Sequence, residues 1–187
     1  MKQIAIFASG SGTNAENIIN YFSDNQDFKV VLLCTNHSDA LVVQRVKKLS
    51  IPIFIFTPYE INNSSKVLEK LKLFNVSIVI LAGFLLKIPD SFIQKFPNAI
   101  INIHPSLLPK YGGKGMFGMK VHRAVIENKE VESGITIHHV NKNYDDGAII
   151  FQATCMVDSD ESPSTLQKKI QLLEHEHFPK VIDTHFK

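Results

Sequence analysis

Cysteine and arginine are both scarce in this chain of 187 residues. The only cysteines, Cys34 and Cys155, lie far apart in apolar, strand-like runs. Two isolated cysteines form neither a disulfide framework nor a metal site, so we interpret them as reduced, buried thiols. The only arginines are Arg45 and Arg123. A bound anion is therefore expected to contact lysine or backbone N–H groups rather than a cluster of guanidinium groups.

The chain also lacks an excess charge and a long apolar run. Lys and Arg total 20 against 18 Asp and Glu, which gives a net charge of +2. There is no basic stripe, so no nucleic-acid partner is predicted. The apolar N-terminal run stops at Gly10, and no run approaches the ~18 apolar residues of a membrane span. The sequence predicts a cytoplasmic protein without a membrane partner, folded as one domain over residues 1–187.

Short apolar runs alternate with segments whose apolar residues recur at helical spacing. Strands are predicted at 4–8, 30–35, 51–56, 76–81, 100–103, 134–140 and 148–156. Helices are predicted at 15–22, 39–49, 64–74, 90–96 and 119–128, and a last helix begins at 162 and is disturbed at Pro179. Ser38 or Asp39 is expected to cap the helix at 39–49. Residues 58–64 are predicted to form a polar loop. This order predicts an α/β fold, a doubly wound, mostly parallel, Rossmann-like sheet with an antiparallel strand near the C-terminal end.

A glycine-rich turn at residues 9–14 joins the first strand to the first helix. The N–H groups and partial positive charge of a helix N-terminus attract anions. No Gly-Lys-Ser/Thr follows, which excludes a Walker A loop. The turn fits the dinucleotide fingerprint if alanine fills the third glycine position, but the second strand runs into Asn36 and His37 instead of an acidic residue. A tight turn without a ligand is the structural alternative.

Asn102 and His104 stand two residues apart where the fifth predicted strand ends. Positions two apart share a face of a strand, and Pro105 favours an extended conformation at His104. An amide and an imidazole with a nearby carboxylate suit acyl transfer through a tetrahedral intermediate. Asp145 or Asp146 could supply that carboxylate, and spacing does not choose between them. The alternative for His104 is a hydrogen-bonded structural histidine.

Other candidate sites are weaker. The apolar segment 82–89 follows a buried strand, and it either packs under the next helix or lines a pocket for a flat ring. Residues 174–177 read Glu-His-Glu-His, but neither His-Glu-x-x-His nor a third ligand is evident, so no metal is predicted. His138 and His139 point to opposite faces of a strand, which argues against a shared ligand. Ser106 lies beyond a proline, so direct transfer is favoured over a covalent enzyme intermediate.

The segment 102–111, Asn-Ile-His-Pro-Ser-Leu-Leu-Pro-Lys-Tyr, resembles the signature of the folate-dependent formyltransferases. The turn at 9–14, the Leu-Ala-Gly-Phe-Leu segment at 81–85 and Glu174-His175-x-x-Phe178-Pro179 are most similar to the member that acts on glycinamide ribonucleotide in purine biosynthesis. The resemblance covers residues 3 to about 183. It implies an enzyme that transfers a formyl group from 10-formyltetrahydrofolate, as cosubstrate, to the amine of glycinamide ribonucleotide.

The same resemblance implies roles for individual residues. Three would be catalytic: Asn102, His104 and Asp145. Four would contact glycinamide ribonucleotide, the first three at its phosphate and the last at its ribose or glycinamide part: Gly12, Thr13, Asn14 and Glu174. Five would contact the folate: Leu85, Leu86, Lys87, Ile88 and Asn102.

The chain departs from the family pattern in three loops. The Asp-Gly-Gly of the family is Asp145-Asp146-Gly147 here, and the match selects Asp145 where spacing alone does not. Leu86-Lys87-Ile88 stands where the family often has Arg-Ile-Leu, so a cationic contact to the folate is not assured. The loop at 112–118 is longer than expected and could be a lid. A methionyl-tRNA formyltransferase would need an added domain and a basic surface, and a formyltetrahydrofolate deformylase an extra N-terminal domain. A non-catalytic nucleotide-binding module also remains an alternative, and a monomer and a homodimer are equally compatible with the sequence.

Overall fold

The computed structural model describes residues 1–187, which form seven strands and seven helices. The strands are β1 (Lys2–Phe7), β2 (Phe28–Thr35), β3 (Ile53–Ile55), β4 (Ile78–Leu81), β5 (Ile100–His104), β6 (Glu132–His139) and β7 (Ile149–Met156). The helices are α1 (Thr13–Tyr21), α2 (Leu41–Lys47), α3 (Pro58–Asn63), α4 (Lys66–Leu73), α5 (Asp90–Lys95), α6 (Met119–Glu127) and α7 (Pro163–Phe186). The chain divides into two compact units, residues 1–101 with Lys187 and residues 102–186.

The strand order is β3-β2-β1-β4-β5-β6-β7 in one sheet of seven strands. In the first unit β1 pairs in parallel with β2 and β4, and β2 pairs in parallel with β3. The apolar run at residues 4–8 is fully buried, as expected for a strand of a parallel sheet with both faces covered. Because β2 and β4 flank β1, the strand order reverses there, and ligands of open α/β sheets bind at such reversals.

The second unit contains an antiparallel pair, β6 and β7, with α6 and α7. Gly134 allows close pairing, because a Cβ there would lie 2.0 Å from the carbonyl oxygen of Ala153. Helix α7 buries Leu166, Ile170, Phe178 and Ile182. The predicted α/β class, the parallel sheet and the antiparallel strand near the C-terminal end are confirmed.

The predicted loop at 58–64 is wrong, because Pro58–Asn63 forms α3. Thr57 and Glu60 make reciprocal side-chain-to-backbone hydrogen bonds at its start, and Pro58 occupies the first helical position. The capping box and the proline are both recognised helix starts, and they outweigh the polar composition of the segment.

One expectation about a helix end is also corrected. Neither Ser38 nor Asp39 caps α2, which begins at Leu41 with Ala40 as its N-cap residue. Helix α7 continues through Pro179 to Phe186. The buried side chains of Phe178 and Ile182 anchor both sides of the proline, so packing offsets the lost hydrogen bond.

Cys34 is buried on β2, as predicted, whereas Cys155 on β7 is only partly buried, and both are free thiols. The expectation that both are buried is thus wrong for Cys155, because β7 pairs with β6 alone and exposes alternate residues. No helix of the structure is long and apolar enough to span a bilayer.

Candidate active site

Asn102, His104 and Asp145 come together in the second unit. Asn102 and His104 lie on β5, and Asp145 lies in the loop between β6 and β7. The Nδ1 atom of His104 is 3.5 Å from Oδ2 of Asp145, and Nδ2 of Asn102 is 3.4 Å from Oδ1 of the same carboxylate. The structure therefore places an amide, an imidazole and a carboxylate in one cluster.

Asp145 rather than Asp146 belongs to this cluster. The N–H of Gly113 donates to Oδ2 of Asp145 at 2.9 Å. Burial raises the pKa of Asp145, but contact with His138, the charge of His104 and the Gly113 N–H outweigh burial and lower the pKa below its ordinary value. Asp146 instead accepts hydrogen bonds from two asparagines of its own loop. The geometry thus separates two carboxylates that spacing alone left equivalent.

His104 is 4% exposed, and both ring nitrogens face protein groups. Its Nε2 is 2.8 Å from the carbonyl oxygen of Tyr111, which can only accept, so Nε2 carries a hydrogen. Burial lowers the pKa of His104 below its ordinary value, although Asp145 and the Tyr111 carbonyl act in the opposite direction. The second nitrogen, Nδ1, faces Asp145, which stabilises the imidazolium form when the ring takes up a proton.

The loop after β5 is tied to β6 and to itself. Thr136 Oγ1 donates to the carbonyl of Ser106 at 2.7 Å and accepts from the Leu108 N–H at 2.9 Å. Ser106 Oγ donates to the Lys110 carbonyl at 2.7 Å. The Tyr111 hydroxyl donates to Glu130 at 2.9 Å. Ser106 is therefore a structural residue of this loop. Together these bonds hold the Tyr111 carbonyl within hydrogen-bond distance of His104.

His138 is a member of the cluster that the sequence did not reveal. It is 2% exposed, and its Nε2 lies 3.1 Å from Asn102 Nδ2 and 3.7 Å from Asp145 Oδ1. Its Nδ1 is 2.8 Å from the carbonyl oxygen of His139. The alternation of His138 and His139 along the strand indicated only that the two side chains share no ligand. The sequence signal that could have identified His138 is its position at the end of a strand, just before the loop that carries Asp145.

The glycine turn lies in the first unit, between β1 and α1. Gly12 is the N-cap residue of α1 at φ +76°, and no side chain caps this helix. The Arg45 side chain donates from Nε to the Ser11 carbonyl at 2.9 Å and from Nη1 to Glu16 at 2.6 Å. The Val42 N–H donates to the Gly10 carbonyl at 3.1 Å. Helix α2 thus fixes the turn through one arginine and one backbone bond, and Thr13 and Asn14 form the first turn of α1.

Ser9 joins this turn to the segment that follows β4. Its Oγ donates to Asn36 at 2.7 Å and accepts from the Leu85 N–H at 3.1 Å. Leu85 and Lys87 are exposed, Leu86 is half-buried and Ile88 is buried. Phe84 packs on Phe7 with ring centroids 5.3 Å apart. The segment therefore divides its side chains between the core and the surface instead of forming one apolar strip.

Glu174 lies on α7 and is half-buried. In residues 1–187 no three His, Cys, Asp or Glu side chains converge as metal ligands would. An amide, an imidazole and a carboxylate in this arrangement can perform acid–base and electrostatic catalysis, since an amide and an imidazolium can stabilise a developing oxyanion.

A protein-family model and individual related proteins both match this chain over nearly its whole length. The formyl transferase family model matches residues 2–182. The chloroplastic phosphoribosylglycinamide formyltransferase of Arabidopsis thaliana is 38% identical over 97% of the chain, which spans 64% of that protein's length. The phosphoribosylglycinamide formyltransferase of Bacillus subtilis is 36% identical over 97% of the chain, which spans 93% of its length.

Solved structures agree with the sequence relatives. The crystal structure of phosphoribosylglycinamide formyltransferase from Bacillus halodurans superposes with a TM-score of 0.89 at 34% identity, covering 100% of this chain and 96% of that one. The structure from Streptococcus pneumoniae superposes with a TM-score of 0.88 at 28% identity, covering 100% of both chains. With a family model that matches nearly its whole length, this chain belongs to the formyl transferase family.

Proposed function

We propose that this chain is a phosphoribosylglycinamide formyltransferase, with its formyltransferase domain spanning residues 1–187. It transfers the formyl group of 10-formyltetrahydrofolate to the amine of glycinamide ribonucleotide in purine biosynthesis. The observation that carries the proposal is the convergence of Asn102, His104 and Asp145 in one cluster. Full-length similarity to the Bacillus subtilis relative supports the substrate assignment.

The reaction needs no covalent bond to the enzyme. The substrate amine attacks the formyl carbon, and an oxyanion develops on the formyl oxygen. Asn102 and protonated His104 donate hydrogen bonds to this oxyanion, for which the Nε2 hydrogen of His104 leaves the Tyr111 carbonyl, and Asp145 stabilises the imidazolium through Nδ1. When the bond from the formyl carbon to N10 of the folate breaks, N10 gains a proton and the attacking amine loses one. Asp145 assists this proton movement, directly or through water.

The substrate phosphate is assigned to the first turn of α1. Gly12, Thr13 and Asn14 lie where a helix N-terminus offers N–H groups to an anion, and no side chain caps that helix. Glu174 is assigned to the ribose or glycinamide part. These assignments follow the family motif position by position.

The folate is assigned to the segment after β4 and to Asn102. Leu85 and Leu86 are accessible to an apolar ring, and Lys87 is exposed and can reach an anionic group. Ile88 is buried, so its contribution is to support the segment from below. We also propose that the enzyme is cytoplasmic, acts on small molecules without nucleic acid or a membrane, and is a monomer or homodimer.

The decisive experiment is a formyl-transfer assay with purified protein, glycinamide ribonucleotide and 10-formyltetrahydrofolate. Product formation is expected with wild-type protein and strongly reduced with His104→Ala. A parallel titration with NADH and a folate analogue tests the dinucleotide alternative. Tight NADH binding without folate binding, or formate release without transfer to the amine, contradicts the proposal.

A further inference from the structure

Segment 110–113 contacts two of the three clustered side chains with its backbone. The carbonyl oxygen of Tyr111 lies 2.8 Å from Nε2 of His104. The N–H of Gly113 donates to Oδ2 of Asp145 at 2.9 Å. The position of this segment therefore decides what both the imidazole and the carboxylate contact.

Tyr111 has a backbone conformation that needs support from its surroundings. Its φ is 57°, in the left-handed region, where a residue other than glycine is strained. Such a conformation persists only where other contacts hold it. The Tyr111 hydroxyl makes one of these contacts, because it donates to Oε1 of Glu130 at 2.9 Å. Lys110 Nζ lies 3.0 Å from each oxygen of the same carboxylate. One carboxylate thus anchors two consecutive side chains of segment 110–113.

Glu130 is itself fixed at the end of α6. It is half-buried, and its N–H donates to the Val125 carbonyl at 3.2 Å. The hydrogen bonds from Lys110 and Tyr111 lower the pKa of Glu130 below its ordinary value. The ionised carboxylate can only accept, and a hydrogen bond to an ionised group is stronger than one between neutral groups. The bond from the Tyr111 hydroxyl is therefore a firm tie between segment 110–113 and α6.

The neutral ring of His104 carries one hydrogen, for which two acceptors compete. The Tyr111 carbonyl lies beside Nε2, and Oδ2 of Asp145 lies 3.5 Å from Nδ1. If the carbonyl moves away, the carboxylate favours the hydrogen on Nδ1. We propose that Glu130 is a positioning residue, which holds Tyr111 so that the neutral ring keeps its hydrogen on Nε2, the nitrogen that donates to the oxyanion. This rests on the proposed role of His104 in formyl transfer.

Nuclear magnetic resonance of substrate-free, 15N-labelled protein identifies the tautomer, because protonated and unprotonated ring nitrogens have distinct 15N shifts. The spectra are recorded at alkaline pH, where the ring is neutral. The signals of His104 are assigned by their absence from His104→Ala. Wild-type protein is expected to carry the hydrogen on Nε2. In Glu130→Leu and in Tyr111→Phe the hydrogen should move to Nδ1.

Two matched variants separate the tie to Tyr111 from the charge of Glu130. Glu130→Gln keeps an oxygen that accepts from the Tyr111 hydroxyl, so it should retain the hydrogen on Nε2. Glu127→Leu makes the same substitution as Glu130→Leu at an exposed glutamate of α6, and it should behave as wild type. A hydrogen that stays on Nε2 in both Glu130→Leu and Tyr111→Phe would overturn the proposal. Tyr111→Phe removes a single hydroxyl, so the test remains decisive if Glu130→Leu does not fold.

The kinetic effect is expected in kcat rather than in KM, because segment 110–113 contains no residue assigned to either substrate. A lone pair on Nε2 repels the developing oxyanion, and the ring loses its fixed orientation without the carbonyl. Glu130→Leu and Tyr111→Phe should therefore each lower kcat about 10- to 100-fold, while Glu130→Gln keeps most of it. Equal losses in Glu130→Gln and Glu130→Leu, both folded by urea titration, would contradict the positioning role.

The wild-type formyl-transfer assay stands apart from these measurements. If wild-type protein transferred no formyl group while the Glu130 and Tyr111 variants changed the tautomer, the proposed function would fail and the positioning of His104 would stand. If wild-type protein transferred the formyl group while the tautomer persisted in those variants, the positioning role alone would fail.

Discussion

Asn102 and His104 differ from their neighbour Ser106 in what their polar atoms contact. The first two contact the Asp145 carboxylate, while Ser106 Oγ bonds the Lys110 carbonyl in its own loop. Asn102→Ala and His104→Ala should each lower kcat roughly 10²–10³-fold, because each removes one of the two proposed donors to the oxyanion. Steady-state formyl transfer at saturating substrate measures the loss.

Ser106→Ala is the control for these variants. It removes a buried hydrogen bond, so it should cost about 1 kcal/mol in the free energy of unfolding and leave kcat unchanged. Near-normal turnover in both Asn102→Ala and His104→Ala would contradict the catalytic assignment.

Thr13 tests the assignment of the phosphate to the first turn of α1. Thr13→Asp places a carboxylate beside the phosphate and should raise KM for glycinamide ribonucleotide more than about 10-fold, since like charges in close contact repel. Binding of a folate analogue should be unchanged. An acidic residue in the first turn stabilises a helix, so the substitution should not unfold α1.

Thr13→Asn introduces a side chain of nearly the same shape as the aspartate of Thr13→Asp, but without its charge. It should bind glycinamide ribonucleotide almost as well as wild-type protein, measured by calorimetry. Equal weakening of both ligands by Thr13→Asp would point to a folding defect instead of phosphate repulsion.

Individual site residues differ in how far the sequence could predict them. Asn102 and His104 were accessible because strand alternation and the following proline act locally. The choice between Asp145 and Asp146 was not, because it depends on the Gly113 N–H and on two histidines distant in sequence. His138 was missed because its place in the cluster depends on β6 lying beside β5, which no local sequence pattern indicates.

At the scale of elements, the turn before α1 depends on helix α2. A Cβ at Gly12 would lie 2.3 Å from Val42 Cγ2, and φ there is +76°. Gly12→Ala must therefore strain the turn and displace α2, and we expect a loss of about 2 kcal/mol or more in the free energy of unfolding, with weaker phosphate binding. Urea titration and calorimetry measure the two effects.

Gly10 provides the matched substitution in the same turn. A Cβ at Gly10 meets nothing within 4 Å, and its φ lies outside the left-handed region. Gly10→Ala should leave the free energy of unfolding within about 0.5 kcal/mol of wild type. Equal destabilisation by the two substitutions would show that packing against Val42 is not the cause.

Helix α6 carries a buried histidine that should make stability depend on pH. The pKa of His122 is lowered to about 4, chiefly by burial and to a smaller extent by the charge of nearby His104. The unfolded chain binds this proton at its ordinary pKa of 6.5. Above pH 6.5 the His122 ring is neutral in both states, and it does not change the free energy of unfolding. As pH falls from 6.5 towards 4 the unfolded chain takes up the proton first, so the free energy of unfolding decreases.

The contribution of His122 across this range is at most about 3 kcal/mol. His122→Gln should make the free energy of unfolding less dependent on pH between 7 and 4, as measured by urea titration. His37→Gln, at an exposed histidine, should behave as wild type. Parallel curves for wild type and His122→Gln would show that His122 does not titrate on unfolding.

Elements were predictable wherever one periodicity dominated a segment. The seven strands and six of the seven helices were recognised from apolar runs and helical spacing. Helix α3 was read as a loop because only one of its residues, Ile61, is buried. The continuation of α7 beyond Pro179 to Phe186 was not predictable locally, because the packing that offsets the proline comes from residues distant in sequence.

At the scale of the whole molecule, a ligand that binds only the folded state should stabilise the fold, by an amount that grows with the logarithm of its concentration above Kd. A folate analogue at 100 times its Kd should add about 2.7 kcal/mol to the free energy of unfolding. For a protein of this size that corresponds to a rise in Tm of roughly 5–10 °C. Thermal unfolding with the analogue, with glycinamide ribonucleotide and with NADH measures the three effects separately.

NADH should produce no shift, because Asn36, bonded to Ser9, stands where a dinucleotide site needs a carboxylate. A shift with NADH alone would contradict the proposed function.

The overall α/β architecture was predictable because strands alternate with helices throughout residues 1–101. The division of the chain into two compact units was not, because the boundary falls inside β5 and no linker composition marks it.

The hydrogen bonds of His104 bear on water as a competing nucleophile. Its Nε2 hydrogen is directed to the Tyr111 carbonyl, and its second nitrogen faces Asp145. In the substrate-free protein no basic nitrogen of this ring is therefore directed at solvent, where it could remove a proton from water. On the proposed function, we expect hydrolysis of the bound formyl donor to be slow for as long as the Tyr111 carbonyl retains the Nε2 hydrogen of His104.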